Sequence, residues 1–231
     1  MKHKLLLFCS ILAFAALPGI ASADWFENFD SYVVGSGLHG QGGWHGWDGN
    51  PAADAYVTDL YSHSPSNSVS ITGATDIVHE WDGYTSGVNE LRGWVYIPSS
   101  LSGINYILLL NTYNDGGPYN WSSQVYFDGA NDIIVSDPET DTLPLVYDQW
   151  VEVYVIIDLD LNIQTFYFNG QMLYQKSWTD GVSGGGVLDI ACIDLFANSA
   201  SPVYWDDLSL TIYNPVATQN TTWGKVKQSF R

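Results

Sequence analysis

Trp150-Val151-Glu152-Val153-Tyr154-Val155-Ile156-Ile157-Asp158 alternates apolar and polar side chains without a break. A period of two is the signature of an extended strand with one buried face. Val151, Val153, Val155 and Ile157 form the apolar face, and Glu152 and Tyr154 point the other way. Shortly after comes Phe168-Asn169-Gly170-Gln171, and Asn-Gly readily takes the positive φ that a tight hairpin turn needs. The rest of the chain follows the same grammar. Further strand-like runs are 55–61, 68–72, 77–81, 90–97, 106–113, 122–127, 132–135, 162–168, 171–176, 187–196 and 203–213. β-branched and aromatic residues fill them, while Gly, Pro, Asn, Asp and Ser fill the gaps. Hardly any helical periodicity and no internal repeat is visible. With 15% aromatic residues, the pattern predicts an all-β, two-sheet antiparallel sandwich or jelly roll.

The ends frame this domain. Residues 1–23 read as a secretory signal peptide. Lys2 and Lys4 supply the positive start, an apolar run extends from Leu5 to Leu17, and Ala21-Ser22-Ala23 is a small-residue cleavage site. The apolar run is too short to span a membrane, and no later stretch reaches about 18 apolar residues. The expectation is an exported bacterial protein, secreted or held at the cell surface, with a domain over 24–213. Residues 214–231 read as a linker and a short basic tail. Trp223, Val226 and Phe230 fall at amphipathic spacing there, and the segment is too short for a stable helix alone. The tail is similar to the basic, Trp-Gly-containing tails of some exported bacterial proteins, which makes it a candidate for surface attachment. Once the signal is removed Cys192 is the one cysteine left, so no internal disulfide forms.

Charge narrows the partners. All 25 Asp and Glu lie between Asp24 and Asp207, a span whose only Lys or Arg are Arg92 and Lys176. Such an acidic field repels phosphates and argues against nucleic acid. It suits divalent cations and neutral glycans.

Two segments echo each other. Trp25-Phe26-Glu27-Asn28-Phe29-Asp30 opens the domain and Val203-Tyr204-Trp205-Asp206-Asp207-Leu208-Ser209-Leu210 closes it, each mixing aromatics with carboxylates. They are expected to pair side by side in one sheet. Trp150, the alternating strand after it, Asp158, and then Phe166-Tyr167-Phe168-Asn169-Gly170 follow an order that resembles the concanavalin A-like lectin/glucanase superfamily, especially its laminin G-like branch. The two end segments also look like the terminal strands of exported jelly-roll carbohydrate-binding modules. The resemblance implies a lectin-like fold, glycan binding and a structural calcium ion; fold alone does not fix function.

Candidate residues follow. Calcium takes six to eight oxygens, and paired terminal strands would bring Glu27 or Asp30 to Asp206 or Asp207. Asp206 has the parity of Leu208, Leu210 and Ile212, so it is expected to point inward while Asp207 points out. A buried Asp206 needs either a cation or backbone amides. Aromatic rings stack on sugar rings while small polar groups read hydroxyls. Two loops have that composition: 40–50, with Trp44 and Trp47, and 113–121, with Asn114, Asp115, Tyr119, Asn120 and Trp121. Trp44 is expected to plug the core; Trp47 and the second loop are the expected glycan contacts. No catalytic residue is assigned. The Glu-x-Asp-x-x-Glu strand of the superfamily's glucanases is absent, and Asp158-Leu159-Asp160 is its nearest relic. Glu90-Leu91-Arg92 and Gln124-Val125-Tyr126 faintly resemble strands of jelly-roll alginate lyases, whose Lys-x-Gly-x-Tyr strand is missing here. The expected function is non-catalytic carbohydrate binding. A cell-surface adhesive or structural module is the alternative, and a lyase or hydrolase of the same fold a more distant one.

Overall fold

A computed structural model describes residues 24–138 and 140–213. The expected signal peptide, linker and basic tail lie outside the described residues. In chain order the strands are β1 Trp25–Glu27, β2 Trp44–Gly46, β3 Tyr56–Thr58, β4 Ser68–Gly73, β5 Asp76–Glu80, β6 Val88–Tyr96, β7 Ile104–Thr112 and β8 Asn120–Asp128. They continue as β9 Ile133–Ser136, β10 Thr142–Pro144, β11 Trp150–Asp158, β12 Ile163–Phe168, β13 Gln171–Ser177, β14 Cys192–Asn198 and β15 Ala200–Tyr213. Among the described residues, only two short 3-10 turns, Trp47–Gly49 and Pro51–Ala53, are helical.

The strands form two antiparallel sheets packed as a sandwich. The first has the order β13-β12-β11-β6-β15-β4-β3 with β1 also on β15; the second has the order β10-β9-β8-β7-β14-β5-β2. Alternation decides what lies between them. Val151, Val153, Val155 and Ile157 of β11 are buried, as are Ile107 and Leu109 of β7 and Ile193 and Leu195 of β14, all in one core. Within the first sheet, Leu208 of β15 lies over Gly93 of β6, where a Cβ would stand 2.5 Å from Leu208 Cδ2. The Asn-Gly turn forms as expected, with Asn169 at φ 48° and Gly170 at φ 72° closing the β12–β13 hairpin.

The terminal strands do pair: Trp25 lies opposite Leu210 and Glu27 opposite Leu208. The expected facing of Asp206 needs correction. Val203 and Trp205 point into the core, and so do Leu208 and Leu210. An irregularity between Asp206 and Ser209, with Asp207 at φ 47°, flips the parity in between. A bulge inserts one residue and resets the alternation, so Asp206 shares the outer side with Tyr204, opposite Trp94 of β6. It is nevertheless fully buried, because the 59–67 segment lies over it. The run 187–196 also needs trimming. The strand begins at Cys192, and Val187 and Leu188 are exposed.

The second sheet has a further layer outside. Leu108, Leu110, Val78 and Cys192 alternate away from the main core yet are buried under Trp47, Tyr113, Tyr119 and Trp121. This covered outer face positions the candidate site.

Candidate functional site

Strand register alone sets out the floor. Across β8, β7, β14 and β5, one row of outward residues runs Tyr126, Tyr106, Phe196 and Asp76. The next row runs Gln124, Leu108, Asp194 and Val78. Tyr106 stacks with Phe196 at 5.4 Å between ring centroids and 28° between planes.

The wall comes from the loops. Trp47 and Trp121 lie nearly parallel, 5.9 Å apart at 11°, and Tyr119 sits 4.8 Å from Trp47. Asp48 fastens the two loops together. Its Oδ1 accepts the Tyr119 hydroxyl at 2.5 Å and the Gly116 amide at 2.8 Å, while its own amide donates to Tyr113 Oη at 2.9 Å. The Tyr119 hydroxyl and then the Gly116 amide hold the Asp48 carboxyl below its ordinary range. Wall and floor enclose a pocket of about 420 Å³, the size of a small-ligand site.

Asp76 and Asp194 both line this pocket. Asp194 is only 3% exposed, and neither Asp76 Oδ1 nor Asp194 Oδ1 has a hydrogen-bond partner among the described residues. Burial, then the neighbouring Asp76 charge, drives the Asp194 carboxyl well above its ordinary range. Burial also raises Asp76, against a hydrogen bond with Asp194 that lowers it. Burial and mutual repulsion both disfavour ionising the two carboxyls together, so the pair favours holding a proton unless a cation joins it.

The six expected glycan contacts divide evenly. Trp47, Tyr119 and Trp121 line the pocket; Asn114, Asp115 and Asn120 do not. The Asn114 carbonyl accepts the Gly117 amide at 2.7 Å, and Asp115 Oδ1 accepts the Tyr113 hydroxyl at 2.9 Å, so both shape the loop. Asn120 bridges Asn111 and the Gly184 carbonyl, each at 2.8 Å. Trp44 is buried, against Trp25 and Phe29. Sequence reasoning missed Asp76 and Asp194. The available signal was an acid inside the apolar run Cys192-Ile193-Asp194-Leu195-Phe196, on the strand face opposite the core.

The four carboxylates expected to hold calcium do not fit one ion. Glu27 accepts the Phe29 amide at 2.8 Å and the Tyr32 hydroxyl at 2.6 Å. Asp30 accepts the Ser66 and Asn67 amides at 2.7 and 2.8 Å. Asp206 accepts the amides of His63, Ser64 and Asp207 at 2.7, 3.0 and 2.7 Å. Asp207 takes His63 Nδ1 at 2.6 Å and the Ser64 hydroxyl at 2.7 Å. N–H and O–H groups already bond these oxygens, and no three His, Cys, Asp or Glu among the described residues are grouped to hold a metal. Asp30, Asp206 and Asp207 together clamp the 59–67 segment.

The two lyase-like motifs cannot converge. Arg92 stands on the outer face of the first sheet, bonded to Glu152 and Glu90 at 2.7 and 3.2 Å and lying over Tyr154. Gln124 and Tyr126 are on β8, on the outer face of the second sheet. The sandwich separates them.

No family model matches the chain. Nor does any curated protein match it. Solved structures do match in fold. A sialidase superposes with a TM-score of 0.56 at 9% identity, over 84% of this chain, and this chain spans 19% of the sialidase's length. The T. cruzi calreticulin globular domain gives a TM-score of 0.54 at 12% identity, over 89% of this chain and 94% of that one. The endo-β-1,4-glucuronan lyase of the fungus Trichoderma reesei gives 0.51 at 10% identity, over 84% and 96%. At these identities the likeness is one of β-sandwich fold.

Proposed function

We propose that this chain is an exported, non-catalytic carbohydrate-binding module of the concanavalin A-like type, with its site on the outer face of the second sheet. One observation carries the reading. Three half-buried aromatic rings, Trp47, Tyr119 and Trp121, stand over a recessed floor with polar groups at Gln124, Asp76 and Asp194. Stacking surface beside a few convergent hydrogen-bonding groups is what a pyranose ring with its hydroxyls requires. Two proteins with a similar sandwich fold are named as a sialidase and an endo-β-1,4-glucuronan lyase, names that refer to carbohydrate substrates, which supports the reading. Export rests on the signal-like residues 1–23.

The non-catalytic part rests on geometry. Asp76 and Asp194 stand on the adjacent strands β5 and β14, on one floor of the pocket, whereas glycosidases place two carboxyls on opposite sides of the scissile bond. A glycan array probed with the wild type and Trp121→Ala tests the reading. Binding to a set of glycans, weakened roughly thirtyfold (about 2 kcal/mol) by removal of one of the three rings, is expected. Silence on every glycan, or binding indifferent to Trp121, overturns it.

A further inference from the structure

The acid pair on the pocket floor is not explained by sugar hydroxyls alone. Asp194 is almost wholly buried and Asp76 partly so, and their Oδ1 atoms lack any donor among the described residues. Neither Arg92 nor Lys176 helps: Arg92 lies on β6 and Lys176 on β13, both in the first sheet. Of the remaining polar and titratable neighbours, His45 on β2 can carry a positive charge and its ring is bonded to Glu80 at 3.0 Å; the others add negative charge or none. Asp48 stands on the wall, Tyr106 and Tyr126 on the floor, and Gln124 is engaged by Asp137. Cys192 is buried beside Asp194, and Glu80 further along β5 is bonded to His45. A recess with aromatic walls and two carboxyls, and with neither Lys nor Arg in its lining among the described residues, is chemically a receptor for a cation. Ring faces attract an ammonium electrostatically, and charge-assisted bonds to a carboxylate are roughly twice as strong as neutral ones.

We propose that the pocket's ligand is a glycan bearing a free protonated amine, a glucosaminyl unit, whose ammonium sits against Asp76 and Asp194 while its ring stacks on Trp47 and Trp121. This rests on the carbohydrate reading above and narrows its ligand class. On binding, the proton shared by the two carboxyls leaves to solvent and the ammonium takes its place. The net charge of the described domain favours the same choice, since its acids far outnumber Arg92 and Lys176.

Three β-linked tetramers that differ only at C2 form the test: glucosamine (ammonium), N-acetylglucosamine (amide) and glucose (hydroxyl). Titration calorimetry on the full mature chain is expected to rank the glucosamine tetramer first, by about tenfold or more. Its affinity should fall on acidification, as the carboxyl pair holds its proton, and again at alkaline pH, as the ligand amine loses its own. Asp194→Asn, which keeps the shape and removes the charge, is expected to abolish the preference among the three tetramers and to flatten the acidic limb of the pH profile. If Asp194→Asn fails to fold, Asp76→Asn gives the same readout from the less buried partner, with the pH profile of the wild type as an independent measure. Equal binding of the three tetramers, or a flat pH profile, overturns the amine assignment and leaves the carbohydrate reading standing. Absence of binding to all three and to the glycan array overturns both.

Discussion

Replacing Asp206 by Ala separates two accounts of the seam between the ends of the domain. Its carboxylate accepts three amides, from His63, Ser64 and Asp207, and is itself fully buried. Each buried donor left without a partner costs about 1–3 kcal/mol. The 59–67 segment is at the surface and can admit water once released, so the low end applies, giving about 3 kcal/mol in all. For a domain of this size that is a fall of roughly 6–12 °C in melting temperature. Burial also pushes the Asp206 carboxyl up to about 6. Its folded pKa is thus above the unfolded value of about 3.9, so its protonation favours the folded state. That contribution is full below about pH 4 and is lost as pH rises through about 6. The stability gap between wild type and Asp206→Ala should therefore widen on acidification across that window. Scanning calorimetry from pH 4 to 7, with and without a chelator, provides the assay. The amide account expects a wild-type melting temperature indifferent to chelator and a large drop in the variant. A wild type that melts lower in chelator would refute the reasoning and restore the cation; a variant that melts within about a degree of the wild type would refute the amide contribution.

Other perturbations probe the core and the turns. His79 lies among Trp25, Trp44 and Trp81, at 4.6, 5.2 and 5.7 Å, and burial lowers its pKa to about 4. Because the folded value is depressed, its contribution is present above about pH 6.5 and lost as pH falls through 4, about 3 kcal/mol in total. Urea midpoints between pH 7 and 4 should fall less steeply in His79→Phe. Gly93→Ala forces a Cβ to 2.5 Å from Leu208 Cδ2 and should cost about 1–3 kcal/mol in urea unfolding; a neutral result would mean the Leu208 side chain does not lie over Gly93 as described. Gly170→Ala places a side chain at φ 72° and should cost about 1 kcal/mol, read by the same assay.

Local signals carried most of the fold. The alternation of β11 needed no help from elsewhere, and the Asn169-Gly170 turn fixed the register of its neighbouring hairpin. The pairing of the chain ends was legible because Trp25 and Leu210 belong to matching aromatic-acid segments. The facing of Asp206 was not, because a single bulged position at Asp207 reverses a parity count and leaves no mark in composition. The site was half legible for a similar reason. Aromatic loops announce themselves, and Trp47, Tyr119 and Trp121 meet. Asp76 and Asp194 are far apart in sequence and become neighbours only through the β5–β14 register, which no single-strand pattern specifies. Asn114, Asp115 and Asn120 have the right composition for a sugar site, but they lie outside the pocket, with Asp115 bonded to Tyr113 and Asn120 to Asn111 within the loops.

Indole N–H resonances give the most direct test of where the ligand binds. Trp47 and Trp121 line the pocket, whereas Trp94 and Trp150 stand beside His63 on the opposite sheet. In a nitrogen-15 correlation spectrum titrated with the glucosamine and glucose tetramers, the account predicts shifts at the Trp47 and Trp121 indoles with Trp94 and Trp150 unmoved. Shifts confined to Trp94 and Trp150, or none at any indole at saturating sugar, would contradict it.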